Sequence, residues 1–222
     1  NAVQARIDAL GPTTEESKRV NWVKFATGSI WMIDYGPFPV RNSDNEVALI
    51  DFRYYHPRVE DDALPTLLGT ELFDISVFRM PVDFEGGNVQ MDSQGTCYAT
   101  QGLLWHNTST EAELKELLTT YMGCKQLIIV APLDGEGTTH IDMFFKIADD
   151  NNIILGSYSK EQDSKNSGLL DDNQTILEGV ELSDGGSVTV HRLPMPDNGK
   201  CGDNGSKPCS TNADCGGTKC NL

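Results

Sequence analysis

The amino-acid sequence predicts an α/β fold, in which short strands alternate with helices. Three features of the sequence support this prediction: short runs rich in β-branched residues, a capped amphipathic helix between two of them, and short connections. Strand, helix and strand joined in this way are typical of sheets that pack against helices. A chain of 222 residues can bury a sizeable core.

Five segments are predicted to be strands because turn-forming residues bound each of them. In chain order they are Val47–Phe52, Ile75–Met80, Leu127–Ala131, Ile153–Leu155 and Ser187–Arg192. No repeat is obvious among the residues themselves.

One helix is predicted between the second and third of these strands. Ser109 or Thr110 can cap its start, and Gly123 can end it. Apolar residues recur at helical spacing, at Leu114, Leu117, Leu118 and Tyr121. The polar segment Tyr158–Ser167 is instead predicted to be an exposed loop.

The composition is acidic, with 33 Asp and Glu residues against 17 Lys and Arg and a formal net charge of −16. Such a surface repels nucleic acid and anionic membranes, so neither is expected as a partner. It suits a cationic ligand, although acidity is more often a solubility feature. No apolar run reaches the roughly 20 residues of a membrane-spanning helix.

The cysteines form two groups. Cys97 and Cys124 lie in apolar surroundings and are predicted to be buried thiols. The other four belong to a Gly- and Asn-rich tail, residues 197–222, that follows the domain of residues 1–196; they are Cys201, Cys209, Cys215 and Cys220. Two disulfides are predicted there, with three possible pairings, and zinc is the less favoured alternative. Disulfides indicate an oxidising compartment, so we expect a secreted or periplasmic protein.

The first segment whose residues could carry out binding or catalysis runs from Ser29 to Pro37. Trp31 is followed three residues later by Asp34 and then by a Gly-Pro break. A planar cation could lie on the indole while the carboxylate accepts its N–H groups. The segment taken alone favours the alternative, an apolar strand that ends in a turn, with Asp34 bonded to local backbone.

The second segment is Asp83–Asn88, in which paired glycines follow Glu85. Glycines permit positive φ angles and close backbone approach, so they can present an acid in a crevice. A plain turn is the alternative.

The third segment, Thr138–Phe145, contains His140 and Asp142. In an extended chain these two side chains point to the same face, where the acid can bind substrate or increase the basicity of the imidazole. A surface histidine and half of a metal site are the alternatives. A metal would need further ligands, so no metal site is predicted.

The fourth segment, Asp51–Asp62, follows a predicted strand and mixes arginines with acids. It could recognise a charged end of a substrate, or it could be a solvated loop with surface ion pairs.

Four motifs occur in order: W-M-x-D-Y-G-P, D-F-x-Y, E-G-G-N followed by G-T, and x-H-x-D. Together they resemble the agmatine deiminase and Porphyromonas-type peptidylarginine deiminase family, over roughly Asn21 to Pro196. The resemblance implies a pseudo-fivefold α/β propeller, or pentein-like fold, with the active site at its axis. It also implies hydrolysis of a guanidinium group to a ureido group with release of ammonia.

The resemblance assigns a role to each site residue. Asp34 would hold the guanidinium with Trp31 packed beside it, and Asp142 would supply the second carboxylate. His140 would be the general acid and base. Glu85 and Asn88 would shape the pocket or support its loops, and Arg58 would bind the carboxylate of a peptidyl-arginine substrate.

The chain departs from the family pattern at several positions. Ile33 and His56 stand where Arg is usual, and Thr139 replaces the Gly before His140. The family's nucleophilic cysteine, in a G-x-x-H-C setting, has no counterpart among the six cysteines. We therefore expect a processed fragment, or one subunit whose partner chain carries the thiol.

Two further functions stay open, namely an inactive guanidinium-binding protein and a secreted structural domain. The chemistry requires no cofactor, although structural calcium could bind at the Asp149-Asp150-Asn151-Asn152 loop. The expected ligand is an arginyl peptide or a small guanidine such as agmatine.

Overall fold

Three copies of one motif make up the fold, seen in a computed structural model that describes residues 2–11, 13–17, 19–196, 199–201, 208–209 and 220–221. In each copy two strands pair antiparallel, and the second of them pairs in parallel with a third strand. A parallel neighbour needs a crossover connection, and a helix provides it each time. We call the copies modules 1, 2 and 3.

Three short helices precede module 1. They are α1 (Ala2–Ala9), α2 (Thr14–Ser17) and α3 (Met32–Tyr35). Within α3, Asp34 and Tyr35 are buried. The hydroxyl of Tyr35 donates to the Ser29 carbonyl at 2.9 Å, which ties α3 to the segment before it.

Module 1 comprises β1 (Phe38–Arg41), β2 (Val47–Arg53), α4 (Val59–Leu67) and β3 (Ser76–Asp83). The helix continues as a π-helical segment over Leu68–Phe73. The middle strand β2 is buried over its last residues before Arg53, as expected for a strand with neighbours on both edges and a helix on one face. The predicted strands of this region are confirmed.

Module 2 comprises β4 (Val89–Met91), β5 (Thr96–Thr100), α5 (Gly102–Trp105), α6 (Glu111–Met122) and β6 (Gln126–Val130). The predicted helix is α6. Its capping signals are confirmed, because Thr110 and Glu113 form a capping box and Gly123 ends the helix at a φ of 77°.

Cys97 and Cys124 form a disulfide, so the prediction of two buried thiols was wrong. Cys97 lies in β5, and Cys124 follows the glycine that ends α6. The crossover of module 2 brings their Cα atoms to 5.6 Å, although 27 positions separate them in the chain. Both residues are fully buried, so neither is a free nucleophile.

Module 3 comprises β7 (Phe145–Asp149), β8 (Asn152–Ser157), α7 (Lys160–Glu178) and β9 (Thr189–Pro194). The helix α7 overturns the prediction of an exposed loop at Tyr158–Ser167. Ser159 and Gln162 form a capping box at its start, a signal that was present in the sequence.

The buried face of α7 could not be recognised in the sequence because the first residues of the helix are polar. Asn166, Leu170, Asn173 and Leu177 recur at helical spacing and are all buried. The two asparagines occupy positions that usually carry apolar residues. Their amides bond backbone instead: Asn173 accepts from Ala131 N at 2.9 Å and donates to Ala131 O at 2.8 Å. A buried amide with both partners satisfied costs little, so the helix forms without an apolar stripe.

Two apolar cores lie between the modules. One joins modules 1 and 2 through residues such as Phe52, Phe84 and Leu114. The other joins modules 2 and 3 through residues such as Tyr98 and Leu155. Among the helices of the described part of the chain, none has the length and apolarity needed to cross a membrane.

Within the few tail residues that the structure describes there are three short strands, β10 (Gly199–Cys201), β11 (Pro208–Cys209) and β12 (Cys220–Asn221). In the register of this sheet Cys201 is opposite Cys220. Cys215 lies outside the described residues, as do the side chains of the other three tail cysteines, so the disulfides at Cys201, Cys209, Cys215 and Cys220 stay a prediction.

Candidate active site

A short helical turn leads into each module, and the site lies where these three turns meet. They are α3 before module 1, the 3-10 turn Gly86–Asn88 before module 2, and the 3-10 turn Ile141–Met143 before module 3. The middle turn contacts both of the others. Equivalent points of the repeat therefore bring together residues that are far apart in the chain.

His140 is held between two carboxylates at this meeting point. Its Nε2 lies 3.0 Å from Glu85 Oε2, and its Nδ1 lies 3.6 Å from Asp34 Oδ1. Because an ionised carboxylate only accepts, Nε2 must donate. All three side chains are at least 89% buried. Of the predicted site residues, the structure brings these three into direct proximity.

The electrostatics of the site favour a protonated imidazole. Burial opposes the charge on His140, but the hydrogen bond and charge of Glu85 and the charges of Asp34 and Asp142 outweigh it and raise the His140 pKa. Burial also raises the pKa of Asp34, and His140 partly opposes that rise. Partial desolvation of the carboxylate also raises the Asp142 pKa, although the residue as a whole is exposed, and the charge of His140 opposes that rise. Titratable groups whose environments shift their pKa values are typical of acid–base sites.

The two glycines after Glu85 are needed because other groups approach them closely. A Cβ on Gly87 would clash with the His140 ring and would lie 2.7 Å from Asp34 Oδ1. The Gly87 amide donates to that same oxygen at 3.2 Å. Gly86 is packed on the carbonyl of Ile33. Neither glycine has a positive φ, so close approach and not an unusual backbone conformation explains the pair.

The extended chain expected within Thr138–Phe145 is wrong where it matters for Asp142, because Ile141–Met143 form a 3-10 turn. His140 itself has an extended backbone, but Asp142 lies in the turn and is exposed. The two side chains therefore do not share one face of a strand. They still interact electrostatically, since the charge of Asp142 contributes to the raised pKa of His140.

The loop before His140 is organised by Glu136. Its carboxylate accepts from Thr138 N at 2.9 Å, Thr138 Oγ1 at 2.7 Å and His140 N at 3.2 Å. Burial alone would raise the Glu136 pKa, but these bonds lower it. Thr139 has a φ of 61°, a left-handed conformation that costs a β-branched residue on the order of 1–2 kcal/mol. Sequence reasoning missed Glu136, although it lies only four residues before His140.

Tyr55 is a second residue that sequence reasoning did not single out. Its hydroxyl donates to Glu85 Oε2 at 2.9 Å. Its ring packs against Tyr54, with 4.5 Å between centroids. The guanidinium of Arg58 lies 5.6 Å from both ring centroids and donates to the Tyr54 hydroxyl at 3.1 Å. Arg58 is thus connected to Glu85 through the two tyrosines.

The remaining predicted residues lie around this centre. The buried side chain of Asn88 accepts from Thr100 N at 3.1 Å, which fixes the turn of Gly86–Asn88 to β5. Trp31 stands at the start of α3 with 53% of its surface exposed.

Asp34, Glu85 and His140 offer one donor atom each within 4.8 Å of one another, a set compact enough to hold a metal ion. The same set forms a hydrogen-bonded imidazole and carboxylate pair, which is an arrangement for proton transfer. A metal on either ring nitrogen would have to replace one of the contacts to a carboxylate. The expectation that no metal is needed stays a prediction.

Comparison with known proteins places these observations in a family. A sequence model described as Porphyromonas-type peptidyl-arginine deiminase matches residues 2–213. A relative from Photobacterium profundum named "Putative agmatine deiminase" is 25% identical over 190 residues, which are 78% of this chain and 52% of the relative. A relative of the same name from Shewanella frigidimarina is 26% identical over 198 residues, 80% of this chain and 52% of the relative.

The chain therefore spans about half the length of the curated relatives it matches. A solved structure of the agmatine deiminase of Enterococcus faecalis superposes with a TM-score of 0.70 at 20% identity, over 89% of this chain and 57% of that one. At this identity the similarity concerns the fold, which confirms the predicted α/β class.

Proposed function

Since the chain belongs to the Porphyromonas-type peptidyl-arginine deiminase family, we propose that it binds a guanidinium group and forms part of the site that hydrolyses it. The substrate is an arginyl peptide or a small guanidine such as agmatine. Hydrolysis replaces one C–N bond by a C–O bond and yields a ureido product and ammonia. The observation that carries the proposal is the convergence of Asp34, Glu85 and His140 at the meeting point of three turns.

Binding and orientation come first in the proposed mechanism. Asp34 and Asp142 accept N–H groups of the planar cation in charge-assisted hydrogen bonds, and Trp31 packs on its face. Fixing the cation in this way converts a slow bimolecular attack into a positioned one. Arg58 binds a carboxylate of the substrate when one is present. Glu85 and Asn88 hold the surrounding turns.

Covalent chemistry then needs a thiolate, which attacks the guanidinium carbon and forms a tetrahedral adduct. The protonated His140 donates its proton to the departing nitrogen, and ammonia leaves as the C–N bond breaks. The neutral imidazole next takes a proton from water. The resulting hydroxide attacks the same carbon and the C–S bond breaks to release the thiolate. The added oxygen gives its remaining proton to water, which leaves the neutral ureido product.

The thiol must come from a segment outside the described residues or from a second chain, because the described side chains include only the paired cysteines Cys97 and Cys124. We propose that this segment also supplies the further modules of a pseudo-fivefold propeller. The chain's share of about half of its relatives' length supports that proposal.

The pairing of Cys97 with Cys124 in a disulfide also favours a second candidate, a guanidinium-binding protein without turnover. Such a protein would keep the carboxylates and the indole but would have no nucleophile. Binding and turnover must therefore be measured separately.

Binding is tested by calorimetric titration of the chain with agmatine and with an arginyl peptide. Loss of a charge-assisted hydrogen bond costs about 1.5–3 kcal/mol, so Asp34→Asn should weaken binding roughly 10- to 100-fold. Asp44→Asn, which removes an exposed acid in the β1–β2 turn, is the matched control and should leave the Kd unchanged. Equal affinities for the wild type and Asp34→Asn would refute the proposed guanidinium site.

Turnover is tested by ammonia release from a preparation whose polypeptides are identified by intact mass spectrometry. We expect release only when a thiol-bearing segment is present, and none from His140→Asn in that preparation. Binding without ammonia release in the complete assembly would favour the second candidate. Normal rates in His140→Asn would show that the acid–base assignment is wrong.

A further inference from the structure

One oxygen of Glu85 has two partners. Glu85 Oε2 lies 3.0 Å from His140 Nε2 and 2.9 Å from the hydroxyl of Tyr55. Glu85 is 8% exposed, so water has limited access to replace either contact. The imidazole and the phenol thus act on the same acceptor from two different elements of the fold.

The Tyr55 side chain is held in place by its neighbours. Its ring packs on Tyr54, and the Arg58 guanidinium lies 5.6 Å from its centroid. Burial and the bond to Glu85 raise the Tyr55 pKa, so the phenol keeps its proton throughout the neutral range. Tyr55 is therefore a fixed donor to Glu85 in both protonation states of His140.

Two donors on one oxygen weaken each other. When His140 is neutral, no adjacent cation offsets the charge of the Glu85 carboxylate and the bond from Tyr55 is strong. When His140 is protonated, the imidazolium withdraws that charge and the bond from Tyr55 weakens. Coupling between two binding events is reciprocal, so the Tyr55 bond must lower the affinity of His140 for its proton by the same factor.

Other charged groups also act on His140 and set the background for this effect. Titratable groups face it from several elements: Asp34 on α3, Asp142 on its own turn, Glu136 on the preceding loop, and Asp83 and His106 in the small cleft beside it. Among the described side chains, none of these groups bonds the Glu85 oxygen that His140 and Tyr55 contact.

We propose that Tyr55 is a positioning residue of the site. Its hydroxyl competes with His140 for Glu85 Oε2 and so reduces the amount by which Glu85 increases the proton affinity of the imidazole. The inference rests on the proposed acid–base role of His140, because it concerns the ease with which that residue gives up its proton. Its test needs no turnover, so failure of the two proposals can be told apart.

The test is an NMR titration of the histidine ring protons in the 222-residue chain, which has four histidines. The His140 signal is identified by its loss in His140→Asn. In Tyr55→Phe we expect the midpoint of His140 to rise by at least about half a pH unit, roughly a threefold gain in proton affinity. Tyr54→Phe is the control, because the Tyr54 hydroxyl bonds Arg58 and not Glu85, and it should leave the midpoint unchanged.

A second substitution keeps the packing of the ring. Placing 3-fluorotyrosine at position 55 makes the phenol a stronger donor, so the midpoint of His140 should fall. A higher midpoint in Tyr55→Phe and a lower one with fluorotyrosine would support the inference. An unchanged or lowered midpoint in a folded Tyr55→Phe protein would overturn it. If Tyr55→Phe does not fold, an unchanged or raised midpoint with fluorotyrosine would overturn it equally.

Discussion

His140 is the residue on which the chemistry of the site depends, because it lies between two carboxylates in a buried environment. Contact with Glu85 and proximity to Asp34 compensate for the loss of water around the ring. The result is a raised pKa for His140. Burial raises the pKa values of Asp34 and Asp142, and the charge of His140 opposes both of those rises. A charged imidazole suits a group that must protonate departing ammonia.

The raised pKa of His140 makes the stability of the fold depend on pH. A pKa that is higher in the folded state than the value of 6.5 in the unfolded chain stabilises the fold below pH 6.5. This stabilisation is lost as the pH rises through the folded pKa. We therefore expect the free energy of unfolding, measured with urea, to fall as the pH rises above 6.5.

His140→Asn is the control for this pH dependence. The variant should lose the part of the pH dependence of the unfolding free energy that His140 causes. Other groups that titrate in this range will contribute the remainder. An identical slope in the variant and the wild type would show that the imidazole is not stabilised by its carboxylate neighbours.

Gly87 allows a second prediction about single residues. Gly87→Ala places a methyl group against the His140 ring and Asp34 Oδ1, so it should destabilise the fold by about 1–3 kcal/mol and separate the two side chains. Gly168→Ala is the matched control, because it adds a methyl group in open space within α7 and should stabilise by roughly 0.5–1 kcal/mol. Urea denaturation measures both, and equal effects would contradict the close packing at Gly87.

The module is the element that positions the site. Each module is preceded by a short turn, and the functional side chains lie in or next to these turns: Asp34 in α3, Glu85 before Gly86–Asn88, and His140 before Ile141–Met143. The apolar cores between neighbouring modules hold the turns in place. A change in the packing of the modules should therefore displace the side chains of the site.

Module 2 has its own covalent cross-link. The Cys97–Cys124 disulfide closes a loop that contains α5 and α6, with a sequence separation of 27 residues. For a loop of that length, the unfolded chain loses entropy worth roughly 3–4 kcal/mol. The Cys97→Ala/Cys124→Ala double variant should lose about that much stability in guanidinium denaturation.

Thr119→Ala is the comparison for the double variant. It removes the hydrogen bond from Thr119 Oγ1 to the Cys124 carbonyl, 2.6 Å long, and should cost only about 1 kcal/mol. A double variant no less stable than Thr119→Ala would contradict a structural role for the disulfide. A buried disulfide supports the expectation of an oxidising compartment, and the secreted or periplasmic location stays a prediction.

At the scale of the whole molecule, the net charge of −16 creates a field that attracts cations. Salt screens such a field, with a Debye length of about 10 Å at 0.1 M. We expect the Kd for agmatine to rise about three- to tenfold between 20 and 300 mM NaCl in calorimetric titrations. Sucrose at matched osmolality should have no such effect. A Kd independent of salt would show that the acidity of the chain serves solubility alone.

Much of the fold followed from local sequence. Turn formers bounded the predicted strands, and Thr110, Glu113 and Gly123 fixed the ends of α6, because capping and strand preference depend on neighbouring residues. The motifs around Asp34, Glu85 and His140 also indicated the family and the residues of the site. These signals can be recognised without knowing which distant segments meet.

Tertiary structure decided every feature that depends on contact between distant segments of the chain. The buried face of α7 was not recognised because it includes Asn166 and Asn173. Their amides bond the backbone of residues 131 and 134, which only the fold brings to them. Cys97 and Cys124 became a disulfide because the crossover in module 2 places them side by side. Tyr55 could be recognised only in the fold, where its hydroxyl and His140 bond the same oxygen of Glu85. Contacts between residues far apart in sequence leave no periodic pattern, so only packing of the modules could reveal them.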